Sequence, residues 1–229
     1  MTQLRDSHLL VVGATGGLGS AICRRLSLEG ARLTLAGRKE EKLDALAHEL
    51  GDSVVGTVSA DLALPGAVAA VAAATAREGG LDGVIYAAGV VAFGPLGELD
   101  EDAFEKMLLL NFVVPVQLFK SLLPQLKPGS TVVHLSAIVA EKPMKGMAVY
   151  SATKSALTSF GAAMASELRR QQIHVLDVRP PHTETGLHTR PISGVPPRLG
   201  RGLDPVVVAE RIVKAIIAEE ADLPSTAFH

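Results

Sequence analysis

Apolar runs alternate with helical spacings along most of the chain. His8–Val12, Ala31–Ala36, Ser53–Ser59, Val84–Ala87, Thr131–Ser136 and Ile173–Val178 read as strands. The most apolar of them lack the in–out alternation of a half-exposed strand, as expected where both faces are covered. Between them, Gly17–Glu29, Lys39–Leu50, Pro65–Ala76, Asp100–Leu123, Val149–Gln171 and Pro205–Ala218 read as helices. Leu43, Leu46, Ala47 and Leu50 recur at helical spacing. Pro65 suits a first helical turn and Asp100 an N-cap. This order predicts βαβ crossovers: one α/β domain over residues 1–229, with a doubly wound parallel sheet flanked by helices on both faces. Pro180–Asp204, rich in Pro and Gly, is too long for an ordinary connection and is expected to be a substrate lid.

Composition narrows the classes of function. Of 229 residues, 48% are hydrophobic and 20% charged, which argues against disorder. The net charge of −2 and an aromatic content of 3% disfavour an electrostatic nucleic-acid binder or a base-stacking platform. Cys23 is the one cysteine, so an internal disulfide and a Cys-rich zinc site are ruled out, and no metal centre is expected. The longest stretch without Asp, Glu, Lys or Arg, Ser7–Cys23, has 17 residues and four glycines, too short and flexible for a membrane span. Arg5 and Asp6 precede it with no long apolar region, so no signal peptide is expected and the chain reads as cytoplasmic.

Two motifs carry the chemistry. The first strand runs through Gly13-Ala14-Thr15-Gly16-Gly17-Leu18-Gly19 into a helix. Such a turn brings backbone N–H groups and a helix N-terminus against a pyrophosphate, as in Rossmann-type folds. Further on, Tyr150 and Lys154 stand four apart on one helix face. An ammonium beside a phenol is expected to lower the phenol's pKa, suiting it to protonate a developing alkoxide. Asn111 offers a third candidate. Pro115, four residues on, has no N–H for its carbonyl, so that carbonyl is free to bind something else. At the end of the second strand, Leu35-Ala36-Gly37-Arg38-Lys39 has no carboxylate to grip a ribose and carries two cations instead. Arg38 can bind a 2′-phosphate bidentately, which points to NADP(H).

Together these residues resemble the classical short-chain dehydrogenase/reductase family, from Leu9 to about Ala218. The resemblance implies hydride transfer between NADP(H) and a small carbonyl compound or secondary alcohol, with Tyr150 as general acid/base beside Lys154. It implies Asn111 as the catalytic asparagine, whose carbonyl holds a relay water. It also implies cofactor contacts from Gly13, Thr15, Gly17, Leu18, Gly19, Asp61, Leu62, Ala88, Gly89, Tyr150 and Lys154. Asp61 would meet the adenine, and Thr183 and Thr185 the nicotinamide carboxamide. Homodimers or homotetramers, paired through the Asp100 and Val149 helices, are the implied assembly.

The chain departs from the pattern in places. Tyr86-Ala87-Ala88-Gly89 stands for Asn-Asn-Ala-Gly, so an asparagine that stabilises the sheet is missing. Pro181 replaces a glycine, and no clear final strand follows the last helix. The family's serine lies 13 residues before its tyrosine, which here is Ala137, with Ser136 one position earlier. Ser136 serves as donor only if the strand end bulges, and it is the favoured candidate because Tyr150, Lys154 and Asn111 are all kept. The alternative is a nucleotide-binding regulatory or interaction protein with impaired turnover. His182 and His188, and Arg190, Arg198 and Arg201, read as substrate contacts or as solvated loop residues.

Overall fold

The computed structural model describes residues 3–76 and 80–228. Among the described residues, seven parallel strands pair in the order β3-β2-β1-β4-β5-β6-β7. They are β1 His8–Val12, β2 Arg32–Gly37, β3 Val54–Ser59, β4 Leu81–Tyr86, β5 Leu126–Leu135, β6 His174–Val178 and β7 Asp222–Leu223. All five residues of β1 are buried, which is why its sequence shows no alternation. The chain winds outward from β1 to β3 and returns to place β4 on β1's other side. The crevice for a ligand in such a sheet opens beyond the strand ends at this reversal.

Among the described residues there are seven α-helices, and six of them cover the two faces of the sheet. α1 Gly17–Leu28, α2 Glu40–Leu50 and α7 Pro205–Ile217 bury Ile22, Leu26, Leu43, Leu46, Val208 and Ile212 against one face. α3 Ala67–Ala76, α5 Val114–Leu122 and α6 Ala148–Leu168 bury Val71, Leu118, Phe119, Met164 and Leu168 against the other. Each fully buried Leu or Phe contributes about 1.5–3 kcal/mol. α4 Glu101–Leu108 starts at Asp100, whose side chain accepts from Ala103 N at 2.8 Å. Asp204 caps α7 likewise through Val206 N. By length and composition residues 101–125 form the one helical stretch, among the described residues, that could cross a membrane; Leu110, Val114, Leu118, Phe119 and Leu122 instead bury its apolar side in the core.

Three expectations change. The strand β7 exists: Asp222 and Leu223 pair with Asp177 and Val178, a tertiary pairing with no local signal. β4 and β5 begin earlier than their apolar runs, because Leu81 pairs with Leu126 ahead of a register shift. The helix read across Asp100–Leu123 is interrupted by a π-turn at Leu109–Val113, where Val114 N–H reaches back five residues to the Leu109 carbonyl. Pro115 explains the position of the break. It cannot donate to Asn111 four residues back or to Leu110 five back.

Candidate active site

The strand ends form the floor of the site. Gly13 N and Ala14 N both donate to Ala36 O, at 2.9 and 3.1 Å, and Gly16 N turns back to Gly13 O at 2.9 Å. Gly13 has φ +81°, and a Cβ on it would lie 2.7 Å from Ala88 N; one on Gly19 would lie 2.1 Å from Gly13 O. Only glycine fits this turn. α1 begins with no side-chain cap and no acid in its first turn, so its free N–H groups suit an anion. The cradle fits the pyrophosphate of a dinucleotide. Ala87 and Ala88 form its far wall, and Leu18 packs against the core below.

Thr15 Oγ1 would be 3.1 Å from a side chain on Gly37, so the hydroxyl overlies the end of β2. Arg38 follows, exposed, with no hydrogen bond or ion pair for its guanidinium among the described residues. Beyond β3, Asp61 is exposed and its Oδ1 accepts from Ala63 N at 3.0 Å; Leu62 packs on the second core. Thr185 backbone lies against Gly17, within 2.7 Å of a Cβ built there. Thr183 Oγ1 donates to Pro181 O at 2.9 Å.

Residues expected to act together do meet. Lys154 Nζ lies 5.8 Å from the centre of the Tyr150 ring and donates to Leu135 O at 2.8 Å. A Cβ on Gly89 would lie 3.1 Å from Asn111 Oδ1 and 3.5 Å from Lys154 Nζ, so all these residues share one small space. Asn111, buried, clamps the strand exit: its Oδ1 accepts from Val90 N at 2.9 Å and its Nδ2 donates to Val90 O at 3.0 Å. Tyr150 belongs to a third apolar cluster with Phe93, Met107, Ala137, Val139 and Met147.

The electrostatics differ from the expectation. Burial pushes the Tyr150 phenol up to about 12. Burial lowers Lys154 to about 8, against the opposing charge of Asp177. In the free chain desolvation therefore outweighs the lysine's attraction for a phenolate, and the phenol stays protonated.

Ser136 is not turned toward Tyr150. Its Oγ donates to Asp177 Oδ1 and, at 3.2 Å, to Val178 O. Asp177 also accepts from Arg179 Nη1, and Arg179 reaches Glu141 at 2.7 Å. Burial alone would raise the Asp177 carboxyl, but His134, Ser136 and Thr158 hold it down at about 2. A hydroxyl bound to so firm a carboxylate is not available as a donor in the cleft. Ala137, extended at φ −172°, ψ 165°, takes the position beside Tyr150. The expected inward bulge is absent because the Asp177 contact holds Ser136.

Sequence reading missed the role of Tyr86. Its hydroxyl donates to Leu110 O at 2.6 Å, the carbonyl left without a helical partner by the π-turn and Pro115. Where the family pattern has an asparagine nearby, a phenol here ties β4 to the long helix. The signal was available: a buried-strand Tyr together with a mid-helix proline. Tyr86→Phe is expected to lower stability by about 1–3 kcal/mol, the cost of an unsatisfied buried carbonyl. Urea unfolding of the two proteins checks it; equal midpoints and slopes would refute the tie.

The glycine turn, the buried Tyr150–Lys154 pair and the switch-point crevice mark a dinucleotide-binding type of α/β fold. A family model described as short chain dehydrogenase matches residues 7–193. The chain thus belongs to the short-chain dehydrogenase/reductase family. It is 30% identical to dehydrogenase/reductase SDR family member 7B of Mus musculus, over 98% of this chain and 75% of the mouse protein. Its fold matches a short-chain dehydrogenase from Sphingobium yanoikuyae in complex with NADPH (TM-score 0.87, 24% identity, 95% and 87% coverage). It equally matches a short-chain dehydrogenase/reductase from Burkholderia phymatum in complex with NAD (TM-score 0.86, 20% identity, 98% and 90% coverage).

Proposed function

We propose that this protein transfers a hydride between NADP(H) and a small carbonyl compound or secondary alcohol, with Tyr150 as the proton donor or acceptor. The carrying observation is the buried Tyr150 phenol with Lys154 Nζ 5.8 Å from its ring, at the mouth of a glycine cradle shaped for a pyrophosphate. Bound there, the nicotinamide cofactor supplies or accepts the hydride. The chain's own residues do the rest. The Gly13–Gly19 turn and the α1 N-terminus hold the pyrophosphate. Thr183 and Thr185 border the nicotinamide end. Tyr150 donates its phenolic proton to the substrate oxygen, and Lys154, anchored by the Leu135 carbonyl, steadies the negative charge left on the phenolate. Asn111 fixes Val90 beneath them. The apolar neighbours Phe93, Val139 and Met147 favour a substrate with an apolar substituent.

Arg38 supports NADP(H) over NAD(H), since its free guanidinium closes β2 where an acid would otherwise repel a 2′-phosphate. NADPH is expected to bind at least about tenfold tighter than NADH, or about 1.4 kcal/mol. Arg38→Asp should reverse the order. Fluorescence titration with each reduced cofactor tests this, and equal affinities in the wild type would refute it.

Self-association through α4 and α6 fits the exposed small residues Ala152, Ser159, Ala162, Ala163 and Ser166 on α6. A second reading, a nucleotide-binding protein with impaired turnover, draws support from Ala137 standing where a hydroxyl is wanted. NADPH consumption over a panel of ketones, aldehydes, quinones and 3-oxoacyl thioesters separates the two: steady turnover establishes the enzyme, and cofactor binding without any consumption favours the second.

A further inference from the structure

The segment after β6 is not a free loop. Glu184 N donates to Leu203 O and Leu203 N to His182 O, both at 2.9 Å, so Thr183 and Leu203 form an isolated parallel bridge. Ile192 N and Ser193 O pair with Val91 O and Phe93 N, tying the segment to the edge of the cleft. The residues on either side of the bridge, His182 and Glu184, project together, with Nε2 3.5 Å from Oε1. His188 returns to the same place. Its ring meets that of His182 edge-on, with centroids 4.7 Å apart and planes at 84°.

We propose that His182, Glu184 and His188 form a binding site for a divalent transition-metal ion of the zinc class, which clamps the segment carrying Thr183 and Thr185. Their ligand atoms all lie within 4.8 Å of one another, and His182 Nε2 stands 3.5 Å from Glu184 Oε1. Bonds of about 2.0–2.1 Å in a tetrahedral site put ligands about 3.4 Å apart, so one pair already has the required spacing. The remaining closure is within reach of side-chain rotation. Two imidazoles and a carboxylate are borderline-soft donors that suit zinc, with a fourth position left for water.

Three further features support a built site. His188 Nδ1 is buried without a hydrogen-bond partner among the described residues, an atom in need of a ligand. A Cβ on Gly202 would come within 2.8 Å of His182 Cδ2, so the Gly202 backbone presses directly on that ring. Gly202 N donates to Glu184 Oε1 at 2.7 Å, which orients the carboxylate as outer hydrogen bonds orient metal ligands. The pattern His-x-Glu-x-x-x-His contains no cysteine, which is why a count of cysteines does not reveal it. An ion here would close a ring of chain around Thr185, whose backbone rests on Gly17 of the phosphate turn.

The test is titration of the metal-stripped chain, without cofactor, with Zn²⁺ by calorimetry and with Co²⁺ by visible absorption. One equivalent should bind per chain, giving the absorption of a tetrahedral cobalt site. His182→Ala and His188→Ala should each weaken binding at least tenfold, while His48→Ala leaves it unchanged. Zinc should also slow tryptic cleavage after Arg198 and Arg201 in the wild type only. A readout free of variants is zinc protection from histidine-modifying reagent: His182 and His188 should be spared. No stoichiometric binding, protection of other histidines, or undiminished binding in folded His188→Ala would each overturn the proposal. None of these readouts depends on turnover, so failure of the proposed reaction would leave the metal result standing.

Discussion

Tyr150→Phe is expected to bind NADPH as tightly as the wild type and to turn over at least about 10²-fold more slowly. The substitution keeps the ring that packs with Phe93, Ala137 and Met147. It removes a hydroxyl that makes no hydrogen bond among the described residues, so the folded structure loses little. What is lost is the proton. The phenol, pushed up to about 12 by burial, is an acid held in its protonated form, close to an ammonium that stabilises the anion it leaves behind. Fluorescence titration measures binding, and single-turnover NADPH consumption measures the rate. A change of only a few-fold would assign the proton to another group.

The second large effect concerns the neighbouring position. A donor aimed at the developing oxyanion lowers the barrier by about 2.7–4 kcal/mol, and Ala137 has no side-chain donor. Its extended backbone accepts any residue, so Ala137→Ser is expected to raise kcat about tenfold or more without tightening cofactor binding. Ser136→Ala should leave kcat within a few-fold of the wild type. It should instead lower stability by about 1–3 kcal/mol, because it strips a hydroxyl donor from the buried Asp177 carboxylate. Steady-state kinetics and urea unfolding of both variants decide the matter. A collapse of turnover in Ser136→Ala with undiminished stability would return the donor role to Ser136.

The difference between these two residues also marks where the sequence stops being readable. The glycine turn and the Tyr150–Lys154 pair were legible because their geometry is local, fixed by one turn and one helix face. The doubly wound sheet was legible because buried parallel strands leave unbroken apolar runs. Ser136 was not, since its direction is decided 41 residues away by Asp177 on the adjacent strand. The two-residue β7 and the pairing of Thr183 with Leu203 were hidden for the same reason: each is a hydrogen-bonded partnership between segments with no periodicity of their own. Likewise the Tyr150 phenol was expected to be softened by Lys154. A contact pair is visible in spacing, whereas the depth of its burial is not.

The π-turn at Leu109–Val113 sets the rotational phase of two helices. Each residue in an α-helix advances the face by about 100°. The turn takes up an additional residue between α4, which buries Ala103 and Met107, and α5, which buries Val114, Leu118 and Phe119. Loss of one residue here would leave the two halves in phase, whereas loss or gain of one residue within α4 or α5 would swing one half by about 100° against the other and lift one of these buried faces out of the protein. A one-residue gap in an alignment is therefore accommodated at this turn, while the same gap placed within α4 or α5 joins the two halves out of phase.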